Sequence, residues 1–387
     1  YLIDNGDFLP LNDESDVKPV YLGNEKGSET GIYISDEWKP WPVLTIYGGL
    51  RYNLYGYLGP KTVYEYQENK PKVPENIVDT LYFSNNELVK SYSGLDYRFA
   101  VNYLLTPNMS IKASFNRLHQ YIFMLSNTIA ISPTDKWKLV DYNIEPMVGD
   151  QASLGFYSSL FRGRIEASIE GYYKTVNNLV DYKDGADLLV NEFPERDVLQ
   201  GNLEAYGIEF MIRKPTGKMN GWINYTYSSA NIVVNRPESG ESINYGIEYP
   251  ANYEKPHAFN LVFNYKFARR FSMSTNVVYS TGRPITYPTS IYYQDGQPIL
   301  NYSLKNEYRL PDYFRIDASV TLEGNLAKKK FLHGSWIFSV YNLTGRKNAY
   351  SVYFKSDNGS ISAYRLSIFG SPIFSLTYDF KLGNYNE

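Results

Sequence analysis

Apolar and polar residues alternate with a period of two along most of this chain. Between Leu203 and Ala230, Tyr206, Ile208, Phe210 and Ile212 alternate with Gly207, Glu209, Met211 and Arg213. After Lys214-Pro215-Thr216-Gly217-Lys218, residues Ile223, Tyr225 and Tyr227 alternate with Trp222, Asn224, Thr226 and Ser228. Two-faced runs joined by Pro and Gly read as a β-hairpin. The unit recurs. Strands are expected at 29–38, 43–57, 95–104, 111–116, 151–158, 165–174, 206–213, 222–230, 258–266, 273–280, 313–323, 335–343 and 373–382.

The connections alternate as well. Short turns such as Lys39-Pro40-Trp41-Pro42, Thr106-Pro107-Asn108 and Phe161-Arg162-Gly163-Arg164 join the strands of each hairpin. Long polar connections near 56–93, 120–149, 176–202, 231–256, 282–312 and 344–372 join one hairpin to the next. Transmembrane barrels have this rhythm, with short turns on the periplasmic side and long loops outside. The polar face carries Arg51, Arg98, Glu166, Glu170, Glu209, Arg213, Arg315 and Asp317. A dry β core cannot hold such a row, because unpaired charges are too costly to bury. A wet or protein-filled lumen can. The fold class expected is therefore all-β, a transmembrane antiparallel up-and-down barrel with its apolar face on lipid. The strand total is odd, whereas a single-chain barrel closes with an even number. Closing strands are accordingly expected N-terminal to Tyr1.

Composition sharpens this reading. The 39 Tyr, 20 Phe and 5 Trp favour β-structure and suit surfaces that meet both lipid headgroups and water. Mean hydropathy is −0.40, and no apolar run is long enough to cross a bilayer as a helix. A net charge of −3 gives no electrostatic basis for binding nucleic acid. The absence of cysteine excludes disulfides and thiolate zinc sites. The sequence opens Tyr-Leu-Ile-Asp rather than with Met, so it is expected either to start at an internal residue or to follow a segment removed by processing.

Several segments resemble TonB-dependent outer-membrane receptors of the Bacteroidetes type. They are Tyr33–Trp38 (YISDEW) with Gly49–Tyr52, Ser114–Lys138, EAYGIEF at 204–210, YEKPHAFNL at 253–261, FSVYNLTGRKNAYSVYF at 338–354 and the closing LSIFGSPIFSLTYDFKL at 366–382. The resemblance covers nearly all of 1–387 and implies a wall of about 22 strands closed around a plug. On that basis this chain is about 13 C-terminal strands of the wall, with the plug domain and first strands upstream. It further implies active import of a scarce nutrient, whether siderophore, glycan, peptide or cobalamin. The partners implied are outer-membrane lipids, the chain's own plug, the TonB complex acting through that plug, and a possible surface lipoprotein. The tail Gly383–Glu387 departs from the family, which usually stops at the last aromatic of the final strand.

Chemistry beyond the wall is sparse. His119 and His257 are expected near the outer rim and His333 in a turn on the opposite side. None has metal-ligand spacing, and no nucleophile motif accompanies His119, so neither a metal, a cofactor nor an enzymatic activity is expected. Plug contact is the expected role of the lumen charges, Glu209 and Arg213 sharing one network. Lys328-Lys329-Lys330 reads as a solvated periplasmic turn. Candidate ligand contacts are the loop aromatics Trp137, Tyr142, Tyr253, Tyr292 and Tyr293, whose flat rings can stack on sugars or apolar groups. The competing readings are a passive porin or adhesin barrel and a soluble Tyr-rich lectin. A plug and a TonB-contacting segment upstream discriminate against the first, purification only in detergent against the second.

Overall fold

The computed structural model describes residues 1–4, 6–9, 19–126, 135–186, 191–294, 297–324, 332–357 and 360–382. Among these, thirteen long strands form one antiparallel sheet in chain order. They are β1 (Asn24–Trp41), β2 (Leu44–Leu58), β3 (Leu88–Thr106), β4 (Met109–Gln120), β5 (Met147–Leu160), β6 (Ile165–Tyr182), β7 (Val198–Lys214), β8 (Met219–Val233), β9 (His257–Ala268), β10 (Phe271–Ser280), β11 (Tyr313–Glu323), β12 (Leu332–Tyr341) and β13 (Ile373–Leu382). Each pairs with its sequence neighbours, which is the up-and-down order expected. The first hairpin read from the sequence is β7–β8, in register from Asn202↔Val233 to Lys214↔Gly221. The sheet is open. Beyond the short pairing of Leu2–Asp4 with Asn24–Lys26, the outer edge of β1 has no partner among the described residues, nor has that of β13.

The wall is a single layer. Its accessible surface is 24072 Å², against roughly 15,600 Å² for a compact protein of 44.6 kDa. Both faces of a strand are therefore open, and their chemistry differs as the alternation requires. Leu154 (61% exposed) and Leu376 (66%) typify the apolar face, which also carries Ile169, Phe210 and Phe338. On the polar face, Asn260 donates to Asn224 at 3.2 Å and Asn264 to Asn220 at 3.1 Å, tying β8 to β9. The short turns use the left-handed region where the chain must reverse tightly, as at Phe161, Arg162 and Gly163.

Two expectations need correction. Strands at the loop ends run further than the alternation indicated: β3 starts at Leu88 rather than 95, and β6 continues to Tyr182 rather than 174. Above the bilayer neither face meets hydrocarbon, so the ladder continues while the apolar-polar alternation lapses. The long polar connections also hold structure of which the alternation gives no sign. They hold hairpins of their own, Lys61–Tyr66 with Ile77–Phe83, Ile122–Leu125 with Lys136–Leu139, Pro288–Gln294 with Gln297–Tyr302, and Ser351–Asp357 with Ser360–Leu366. His333, finally, is buried and lies in β12 opposite Lys381, because that strand already begins at Leu332, within the turn expected there. Lys328–Lys330 and Gly383–Glu387 lie outside the described residues.

The apolar face also carries a few charges, and one of them is paired there. Arg117 sits directly opposite Tyr97 and Asp150, on the face that carries Phe115 and Leu154. Its Nε and Nη2 donate to the two Asp150 oxygens at 2.8 and 2.7 Å, and the guanidinium lies 5.4 Å from the Tyr97 ring centre. A bidentate pair over an aromatic ring neutralises itself, which makes it tolerable on a mainly apolar face near the rim.

Candidate functional site

The long connections between β2 and β9 pack together at one rim. Tyr55 and Tyr57 from β2, Tyr121, Phe123 and Leu125 after β4, and Leu139, Val140 and Ile144 form one apolar cluster with Tyr182 and Val198. Tyr55 stacks on Tyr121 at 4.8 Å, and its hydroxyl donates to the Val140 carbonyl at 2.8 Å. A second cluster joins Leu199 and Leu203 of β7 to Ile232, Val234, Ile243 and Tyr249. These loops therefore have cores of their own, held against the wall.

One buried ionic knot fixes the first cluster. Lys138 donates to Glu25 at 2.7 Å and to Asp141 at 2.5 Å, while Glu25 also accepts the Leu139 amide at 2.8 Å. The other Asp141 oxygen accepts the amides of Asn143 and Ile144 at 2.8 and 2.9 Å. Burial alone would lower the Lys138 pKa, but Asp141 and Glu25 outweigh it and hold the ammonium well above its usual range. Burial would likewise raise Asp141, yet Lys138 and the Asn143 amide hold it below the ordinary carboxylate value. Every member is hydrogen-bonded within the knot, the condition under which a buried ion pair is tolerated.

Beside this knot lies a polar cleft of about 420 Å³. Four parts of the chain supply its lining: Glu65–Lys72 after β2, Tyr142–Ile144 after β4, Lys183 after β6 with Val198–Gln200 at the start of β7, and Arg236–Glu241 after β8. Lys72 donates to the Asn143 carbonyl at 2.5 Å, and Arg236 Nε to the Gln200 carbonyl at 3.3 Å. Lys183 is paired with Glu241 at 2.5 Å. Burial lowers the Lys72 pKa, and Arg236 and Lys183 push the same way, against the opposing charges of Asp141 and Glu195. Burial raises the Glu195 carboxyl, helped by the Asp141 charge. Arg196 stacks over Phe193 at 4.2 Å and donates to the Tyr66 hydroxyl at 3.0 Å.

The five loop aromatics singled out from the sequence are not gathered in one place. Tyr142 alone lines the cleft, where its hydroxyl donates to Glu65 and its ring lies 5.1 Å from the Lys90 ammonium. Trp137 is exposed on the hairpin opposite Met124. Tyr253 is exposed beside Glu254, which pairs with Arg309, and Tyr292 and Tyr293 project from the 288–302 hairpin. The cleft's cations went unnoticed in the sequence. Lys72, Lys183 and Arg236 are far apart in the chain, each in an unremarkable polar stretch.

The lumen-face residues divide into separate groups. Arg51 Nε donates to Asn53, Asn53 to Asp96, and Asp96 accepts both the amide and the Nδ1 of His119 where β3 and β4 part. Arg98 lies opposite Gly49 and Asn116. Arg213 pairs at 3.4 Å with Glu166 across the β6–β7 ladder, not with its own-strand neighbour Glu209. Glu209 faces Glu170, which accepts the Tyr157 hydroxyl. Arg315 donates to Asp317 at 3.0 Å and to the hydroxyls of Tyr313 and Tyr341. His257 meets the Tyr225 hydroxyl at 2.8 Å at the wall's edge.

A sequence profile described as TonB dependent receptor-like, beta-barrel matches residues 3–343. The chain belongs to that family. The receptor is thus an outer-membrane β-barrel protein, and its family is one of receptors and transporters rather than enzymes. Among solved structures, it is similar to the ferric-catecholate import receptor Fiu of E. coli K12 in its closed form, with 16% identity and a TM-score of 0.55 over 94% of this chain and 46% of that one. The siderophore receptor PiuA of Acinetobacter baumannii gives 15% and 0.55, over 93% of this chain and 44% of that one. The ferripyoverdine receptor of Pseudomonas aeruginosa gives 13% and 0.51, over 95% and 39%. At these identities the likeness concerns the fold alone. The chain spans less than half the length of these three receptors. No curated protein sequence matches it.

Proposed function

We propose that this chain forms the C-terminal part of the wall and the ligand-capturing loops of a TonB-dependent importer for a scarce nutrient. The observation that carries the reading is the family match over 3–343, with the long-loop, short-turn rhythm that such a receptor needs. The rest of the wall and a plug lie upstream in this reading, and the polar face at Glu170, Glu209 and Arg315 is what the plug rests on. Loops above the plug hold the ligand. Energy from the inner membrane, delivered through TonB to the plug, then opens the path. The solved receptors of like fold take ferric-catecholate and ferripyoverdine, which supports import and leaves the nutrient class open among siderophore, glycan, peptide and cobalamin.

The test is uptake in the native host. Single candidate nutrients are supplied to the wild type, to a strain lacking the receptor and to one lacking TonB. Loss of uptake of the same nutrient in both mutants is the expected result. Uptake that needs the receptor but not TonB makes the barrel a passive pore and overturns the reading.

A further inference from the structure

We infer that the cleft lined by the 65–72, 142–144 and 236–241 segments with Lys183 and Val198–Gln200 is an anion site, and that it takes a small polar ligand through a carboxylate or phosphate group held between Lys72 and Arg236. The inference deepens the import reading by naming the ligand's charge, and rests on it for the ligand's fate.

Two half-buried cations define the site; Lys70, also in the lining, is exposed to solvent. Lys72 and Arg236 are half-buried in the cleft lining, and among the described residues neither is paired with a carboxylate. Each is anchored by a single protein oxygen, the Asn143 and Gln200 carbonyls, which fixes its position without neutralising it. An ammonium has three donors and a guanidinium five, so both keep donors free for a ligand. The carboxylates of the lining do not answer these charges. Glu241 is taken by Lys183, and Glu65 accepts the Tyr142 hydroxyl. Glu68 and Glu238 are exposed, where water and salt screen them. Burial disfavours the Lys72 charge, and Arg236 and Lys183 repel it, while the more distant Asp141 and Glu195 charges offset this in part. An anion bound between them relieves that repulsion.

The rest of the lining describes the remainder of the ligand. Glu65, Tyr66, Gln67, Asn69, Asn143 and Gln200 offer acceptors and donors, with only Val78, Ile144, Val198 and Leu199 apolar. A volume of about 420 Å³ lies at the small end of ligand pockets. Such a site suits a hydrated, acidic molecule of one or two sugar or amino-acid units rather than an apolar one.

The test uses the full-length receptor in detergent, with calorimetric titration of glucuronate, inorganic phosphate and glucose. Glucuronate and phosphate separate a carboxylate ligand from a phosphate one, and glucose is the uncharged control. Binding of either anion with no glucose binding is expected, weakening roughly tenfold or more in Lys72→Met/Arg236→Met and returning in Lys72→Arg/Arg236→Lys, which keeps both charges. Heat-modifiable gel mobility confirms that each variant retains its barrel. No binding of either anion, glucose binding as tight as glucuronate, or a methionine variant within about twofold of wild type overturns the anion site. Anion binding without TonB-dependent uptake overturns the import reading and leaves the site. TonB-dependent uptake of a nutrient that is indifferent to the methionine variant does the reverse.

Discussion

Charged side chains of this receptor do very different things according to burial. Arg213 and Glu166 face each other across a ladder at 3.4 Å, but both side chains are about half exposed. An exposed pair contributes little, so Arg213→Ala is expected to change unfolding free energy by less than about 1 kcal/mol, measured by urea titration of the full-length receptor in micelles. Lys138 is the opposite case. Its removal strands Glu25 and Asp141 in an apolar cluster, and Lys138→Met is expected to cost about 3–5 kcal/mol locally. Hydrogen exchange at the Leu139 amide reads this, since Glu25 accepts that amide. Unchanged protection there sinks the prediction. The same knot sets a pH window. Asp141 is held below its unfolded value, so its contribution is present above about pH 4 and fades as pH falls through the depressed value. Lys138 is held above its unfolded value, so its contribution is complete below about pH 10 and fades as pH rises through the raised one. Protection of Leu139 should therefore be flat from about pH 5 to 9 and fall on the acid side below about pH 4.

Each strand carries two solvents' worth of chemistry on alternate residues. On β7, Phe210 points to the apolar side and its neighbour Glu209 to the polar side, opposite Glu170. Lysine introduced at Phe210 is expected to cost about 2–4 kcal/mol if that position lies near the bilayer midplane. Lysine at Glu209 replaces a carboxylate pair by an opposite-charge pair and is expected to be neutral within about 1 kcal/mol. Unfolding of the two variants from lipid vesicles distinguishes them, and equal costs would mean the faces are wrongly assigned. Glycine matters where strands crowd: Gly207 lies under the Tyr172 ring, with a Cβ there 2.7 Å from the hydroxyl. The loop hairpins obey a different rule. Their stability comes from clusters shared between connections, as Val63, Phe123 and Leu139 show, so no single one of them has a core alone.

The open sheet has consequences for the receptor as a unit. Most of the outer edge of β1 and that of β13 present unpaired backbone groups, and hydrocarbon does not tolerate such edges, at several kcal/mol for each unsatisfied group. Residues 1–387 expressed alone are therefore expected not to insert into vesicles as a heat-modifiable barrel, whereas the full-length receptor is. Insertion of the shorter chain as a closed, heat-modifiable monomer would contradict the upstream wall strands proposed above.

Much of the wall was legible because its cause is local. Lipid on one side and polar contents on the other force an alternation that any strand of this barrel must carry, and β11 and β13 run over the residues the alternation indicates. The count of thirteen and the hairpin turns follow from the same constraint. The alternation failed where that constraint stops, in the extensions of β3 and β6 above the membrane and at Arg117, whose charge is made tolerable by Asp150, 33 residues further along the chain. Of the lumen charges, the sequence placed each on its face but not its partner, so Arg213 went with Glu209 instead of Glu166. The candidate cleft was not legible at all beyond Tyr142. Sequence alone determined the membrane wall, since solvent contrast acts on every second residue in turn. Only the tertiary structure decided the site, since Lys72 and Arg236 acquire their shared, unneutralised charge solely from four parts of the chain meeting in space.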